Sequence, residues 1–261
     1  MVCSWINGSG LGAKAVRYYS KNDFVNAGTC STFSEYAIVS ESHLVKIPKE
    51  VDSAAASLLG CAVPTGAGII DNEIIIGNKI KIAIFGIGGI GASALMRATA
   101  LNLDCIAFDV VPWKLRWIND NFGIKSVNVL FNNFSSDFDI SDYMSFMGIF
   151  DFAVECSGNK FAMEMAFSCL KNNGMAIIAG NLEPGEKISI DPFELVRGKK
   201  LIGTWGGECF LDKDVPFYAE EHLKNRLPIE KLITKVYSFD QINEGIKDLE
   251  AGNLIRGVIK F

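Results

Sequence analysis

Between residues 80 and 204 the chain alternates short apolar runs with longer stretches of helical spacing. Residues 80–85 are apolar and rich in β-branched side chains. A glycine turn follows at 86–91, then a helix-spaced stretch over 92–101. The next apolar run is 105–108. Pro112 stands where a helix would begin, and 113–121 continues it. Runs at 127–130, 150–155, 175–179 and 201–204 predict further strands, with a helix over 161–170. Strands alternating with helices of this length predict βαβ units, an α/β fold and a doubly wound parallel sheet. Near-continuous apolar strands fit burial on both sheet faces.

The flanks have a different rhythm. Residues 1–30 are rich in Gly and Asn and predict loops. Alternation over 33–39 predicts a strand, and 43–47 another, stopped by Pro48. Residues 53–70 have helical spacing. After Thr204 the pattern predicts a helix over 215–224, an amphipathic helix over 239–250 closed by Gly252, and a terminal strand over 255–261.

Composition narrows the function. Hydrophobic residues make up 49% and charged residues 21%, as in soluble globular chains. The net charge of −5 and the lack of a basic face argue against nucleic acid as a partner. No apolar stretch reaches the length of a membrane span, and the N-terminus lacks the pattern of a secretory signal. The seven cysteines include no CxxC pair, and several lie in apolar runs, which predicts a reducing, cytoplasmic setting without a disulfide framework.

The sharpest motif is Gly86-Ile-Gly88-Gly89-Ile-Gly91, directly after the strand at 80–85. In a dinucleotide-binding Rossmann unit the first glycine allows the tight turn. The second lets backbone approach a pyrophosphate, and the third lets helix and strand pack closely. Amides at the helix start then face the phosphates. An acid is due roughly 20 residues on, and Asp109 stands there, at the end of the next strand. A carboxylate at that point accepts hydrogen bonds from the adenosine ribose and repels a 2′-phosphate, which favours NAD over NADP. Lys114 is placed either against the ribose or on a solvated helix face.

With these residues in place, the chain resembles the zinc-type medium-chain alcohol dehydrogenases over nearly its whole length. Residues 58–68, LLGCAVPTGAG, resemble the family's link between catalytic barrel and Rossmann domain. GIGGIG with Asp109 matches its coenzyme fingerprint. Residues 152–158 resemble the strand under the nicotinamide, and Thr204-Trp-Gly-Gly207 the exit from the coenzyme domain beside the usual dimer strand. Residues 232–234, 241–245 and 255–258 match the C-terminal run. The resemblance implies a Rossmann domain over 64–204. It also implies a partial GroES-like, β-rich catalytic domain from a remnant at 1–63 and the return of the chain at 205–261. It implies coenzyme contacts at Gly86, Gly88, Gly89, Gly91, Asp109, Lys114, Ser157, Gly180 and Arg256, the last near the pyrophosphate. Thr65 matches the residue beside the nicotinamide. A homodimer, or an assembly built on one, is implied as well.

The implied chemistry is hydride transfer between a small alcohol or carbonyl substrate and NAD, with zinc as Lewis acid on the substrate oxygen. Family catalytic zinc is held by two Cys and one His. Cys61 matches the second cysteine and is the implied catalytic and metal residue. The other ligands belong to an N-terminal segment, a Cys followed by His-Glu, that does not occur here. Cys3 and Cys30 do not form the four-cysteine structural-zinc lobe. The two histidines offer little: His43 reads as a surface strand residue and His222 as part of a solvated helix face. On this reading the family alignment begins late and most of one domain is missing. Cys61 is then either a zinc ligand in a complete site or an orphan thiol, and the second is favoured for the chain as given. Cys156 reads as core, and Asp151 and Glu155 as strand-end residues. Three functions stay open. They are an NAD-dependent alcohol or polyol dehydrogenase impaired by the missing ligands, an inactive NAD(H)-binding remnant, and a zinc-free enzyme of quinone-reductase type.

Overall fold

The computed structural model describes residues 1–6, 8–14, 17–25, 28, 30–77, 79–129 and 145–261. The chain forms two compact units, residues 66–208 and residues 1–65 with 209–261.

The unit at 66–208 is built on one six-stranded sheet. In chain order its strands are β1 (Lys81–Phe85), β2 (Asp104–Asp109), β3 (Lys125–Asn128), β4 (Phe150–Glu155), β5 (Leu170–Ile178) and β6 (Lys200–Gly203). Their spatial order is β6-β5-β4-β1-β2-β3, and every pairing is parallel. This is the doubly wound Rossmann order, in which the winding reverses between β1 and β4. Apolar runs make the central strands β1, β4 and β5 because both faces are covered: Ile82, Ala83, Ile84, Ala153, Val154, Ala176 and Ile177 are fully buried. Phe85 stacks on Phe108 at 4.6 Å between ring centroids, and Phe150 meets Phe108 edge-on at 6.0 Å.

Among the described residues, three helices of nine residues or more connect strands of this sheet. The first, α1 (Gly89–Ala100), buries small residues at Gly91, Ala92, Ala94 and Ala98. The second, α2 (Pro112–Phe122), starts with proline in its first turn and ends at Gly123 in the left-handed region, φ 66°. The third, α3 (Lys160–Ser168), is capped by the Asn159 side chain, which accepts from the amides of Phe161 and Ala162. Helical spacing through Leu170 predicts a longer α3. The chain instead leaves the helix after Ser168 and enters β5 at Leu170, where pairing with β4 jumps from Leu170 to Met175. Asn173 at φ 64° and Gly174 make that irregularity possible, since Asn tolerates the left-handed region. The last residue of the strand read at 127–130 lies outside the described residues.

Among the described residues, the unit at 1–65 and 209–261 divides its strands among three pairs. Val2–Cys3 runs antiparallel to Leu44–Val45, Tyr18–Ser20 antiparallel to Asp23–Val25, and Ile233–Ser238 parallel to Arg256–Lys260. Helices Ser53–Leu58, Leu211–Leu223 and Ile242–Glu250 pack around them. Two sequence readings fail here. Val2–Cys3, Tyr18–Ser20 and Asp23–Val25 are short strands in a stretch whose sequence predicts loops. Residues 33–39 form bends and unpaired chain instead of a strand, with Phe33, Tyr36 and Ile38 exposed. Alternation alone does not make a strand without a neighbour to accept its ladder.

Candidate functional site

The crevice at the carboxyl ends of β1 and β4 is where the strand order reverses, the position at which open α/β sheets bind ligands. The sequence places the glycine turn there, and the structure gives each glycine a distinct constraint. Gly86 sits at φ +90°, and a Cβ on it would lie 2.8 Å from the Ser157 side chain. A Cβ on Gly91 would lie 1.9 Å from the Gly86 carbonyl oxygen, so helix and strand pack backbone to backbone. Gly88 is the opposite case: a Cβ there would meet nothing within 4 Å. Gly88 is also the N-cap of α1, and no side chain caps that helix start. Gly89 opens the helix and is buried.

Asp109, at the end of β2, is buried and faces this turn. Its Oδ2 accepts the Ile87 amide at 2.5 Å and its Oδ1 accepts the Val111 amide at 2.8 Å. The acid read from spacing thus also ties the glycine turn to the neighbouring strand. Lys114 is buried as well, with its ammonium 6.0 Å from the Trp113 ring centroid, which removes it from a solvated face.

Glu155 closes the other side of the crevice, and sequence reasoning passed over its weight. It is fully buried at the end of β4, beside Phe85 in the ladder. Its Oε1 accepts the Ser157 amide at 2.7 Å, the Ser157 hydroxyl at 2.5 Å and the Gly158 amide at 3.0 Å. Its Oε2 is buried without a partner. Its main-chain oxygen accepts the amides of Ala179 and Gly180. A Cβ on Gly180 would lie 2.5 Å from Oε2 and 2.2 Å from the Gly158 nitrogen, so only glycine fits there. Burial pushes the Glu155 carboxyl above the usual carboxylate range, against the opposing pull of the Ser157, Gly158 and Asn159 bonds. The signal in the sequence was a lone acid inside the apolar run AVEC. Asp151 has a different task. Burial would raise its pKa, but Lys171 and the Lys81 amide together hold it below the ordinary value.

The remaining implied residues belong to the other unit. Cys61 is exposed and lines a cavity of about 680 Å³ together with Cys3, Ser57 and Arg256. The Arg256 Nε is buried without a hydrogen-bond partner. Burial lowers the pKa of this guanidinium, and Cys61 opposes that shift. Thr65 is 5% exposed, and its hydroxyl is buried without a partner. His43 is not on the surface: it is buried, and its Nδ1 lies 3.0 Å from the Ser4 carbonyl oxygen that accepts from it. His222 is half-buried rather than solvated, with Nδ1 3.0 Å from the Leu227 carbonyl oxygen. Among the described residues no three His, Cys, Asp or Glu side chains stand together as metal ligands. Cys61 alone does not fit a catalytic zinc, which takes three protein ligands.

The profile of the zinc-binding dehydrogenase family matches residues 89–221. The chain is 33% identical over 259 residues to S-(hydroxymethyl)glutathione dehydrogenase of Komagataella pastoris, covering 97% of this chain and 68% of that one. It is 30% identical to alcohol dehydrogenase class-3 of Caenorhabditis elegans, covering 89% of this chain and 62% of the relative. Benzyl alcohol dehydrogenase of Acinetobacter calcoaceticus superposes with a TM-score of 0.79 at 26% identity, over 89% of this chain and 63% of that structure. The chain therefore spans roughly three fifths to two thirds of the length of these relatives.

Proposed function

Because this chain belongs to the zinc-binding dehydrogenase family, that of the zinc-type medium-chain alcohol dehydrogenases, we propose that residues 66–208 bind NAD(H) in the crevice between β1 and β4. The observation that carries this reading is the open space at Gly88 beside an uncapped helix start, with Asp109 at the neighbouring strand end. Backbone amides of the first turn of α1 would hold the pyrophosphate, aided by the helix dipole. Asp109 keeps acceptor capacity for ribose hydroxyls, because each carboxylate oxygen makes one amide bond and can accept more. Gly180, Ser157 and Gly158 shape the floor, and Lys114 supports the adenosine side. When bound, NAD supplies a hydride acceptor at nicotinamide C4. The reaction type is hydride transfer between an alcohol and NAD.

Turnover by this chain is impaired on the same reading, since Cys61 has no companion ligands among the described residues. Alcohol oxidation is tested with benzyl alcohol and S-(hydroxymethyl)glutathione, following NADH absorbance with zinc added or chelated. Saturable coenzyme binding with little turnover is expected. Robust zinc-dependent turnover contradicts the impairment.

A homodimer, or an assembly built on one, is part of this proposal. It is supported by the edge position of β6 and by Trp205 just beyond it, 79% exposed. A cytoplasmic setting is supported by the seven cysteines, none of which forms a disulfide. No helix among the described residues is long and apolar enough to cross a membrane.

A further inference from the structure

Three glycine-bearing loops meet around Glu155. The turn after β1 brings Gly86 against Ser157, the turn after β4 is held by Oε1 through Ser157 and Gly158, and the turn after β5 brings Gly180 against Oε2. Gly158 adds a close contact of its own. At φ +71°, a Cβ on it would lie 2.6 Å from the Asn181 carbonyl oxygen. A buried acid with one oxygen receiving three donors and the other receiving none is an expensive arrangement in a parallel-sheet core. An apolar residue at the end of β4 would fill the space but leave two amides and a hydroxyl unsatisfied. The carboxyl therefore does something that packing alone would not require: it sets the height of the loop after β4 relative to the glycine turn.

We propose that Glu155 is a positioning residue for the coenzyme, holding the Ser157–Gly158 turn so that the floor of the crevice is formed before NAD enters. This rests on the NAD reading above. Glu155 acts through Ser157 and Gly158 and touches no reacting atom. Its titratable neighbour is the Cys156 thiol, pushed far up by burial and also by the Glu155 charge. When Glu155 takes a proton, Oε1 becomes a weaker acceptor and the turn loosens. NAD affinity is then expected to fall as the pH drops through the raised value of this carboxyl.

The test is calorimetric titration of the full chain with NAD⁺ from pH 8 to pH 5, for the native protein, Glu155→Gln and Glu155→Ala. Thermal melts and circular dichroism of each accompany it. Glu155→Ala removes the acceptor and is expected to weaken binding about tenfold or more, the scale of lost charge-assisted hydrogen bonds. Glu155→Gln keeps an acceptor but cannot titrate. It is expected to bind within about fivefold of the native chain and to lose the acid limb of the profile. If Glu155→Ala fails to fold, the Gln variant decides. Native-like affinity in the Ala variant, or an unchanged acid limb in the Gln variant, overturns the positioning role while leaving NAD binding intact. No binding by the folded native chain overturns the NAD reading, and the positioning role with it.

Discussion

Among the described residues, 66–208 place their strands in one six-membered parallel sheet, whereas 1–65 and 209–261 divide theirs among three separate pairs. The difference lies in what specifies each strand. In the sheet, β1 is locked by β2 on one side and β4 on the other, and its apolar side chains are buried on both faces. A shift of register there would misplace every partner at once. In the other unit a strand such as Val2–Cys3 has one partner and two paired residues. Apolar side chains such as Leu11, Phe33, Tyr36 and Ile38 stay at the surface. The lesson is that an apolar residue contributes to stability through what covers it, not through its place in a pattern.

Aromatic truncation draws that contrast most sharply. Phe108→Ala, in the core beneath the crevice, is expected to cost about 3–5 kcal/mol in urea unfolding. Tyr36→Ala, at a residue 89% exposed, is expected to stay within about 0.5 kcal/mol. Equal costs at the two sites would break the comparison.

Two glycines of the same turn sharpen it within one unit. Gly91→Ala forces a Cβ into the Gly86 carbonyl and is expected to cost about 3 kcal/mol. Gly88→Ala meets open space and is expected to shift stability by no more than about 1 kcal/mol. Its effect should appear instead in NADH affinity, because on the proposed function the new methyl group enters the space assigned to the pyrophosphate. A Gly88→Ala protein that binds NADH normally would place the coenzyme elsewhere.

A smaller effect is expected at Asp109. Asp109→Asn leaves one of the Ile87 and Val111 amides without a good acceptor, a loss of about 1–3 kcal/mol. On the proposed function, the same change removes the charge that would repel a 2′-phosphate. NADPH affinity should therefore rise relative to NADH. Unchanged preference in a folded variant means that another group reads the ribose.

The parallel sheet was legible from sequence because its central strands contain short apolar runs ended by turn residues, and because the glycines and Asp109 recur at spacings fixed by the βαβ unit. What escaped depended on partners distant in sequence. Residues 33–39 carry strand alternation, yet nothing among the described residues pairs with them. His43 reads as exposed because its partner, the Ser4 carbonyl, lies on another segment. Glu155 reads as a strand end because its value comes from a turn folded back over it. The second task of Asp109, holding the Ile87 amide, was hidden for the same reason.

The most direct measurement is a fluorescence titration of the purified chain with NADH, run beside NADPH under the same conditions. Saturable binding of one NADH per chain, with NADPH clearly weaker, is the expected result for a coenzyme crevice built on Gly88 and Asp109. Absence of saturation, or NADPH binding as tightly as NADH, contradicts it.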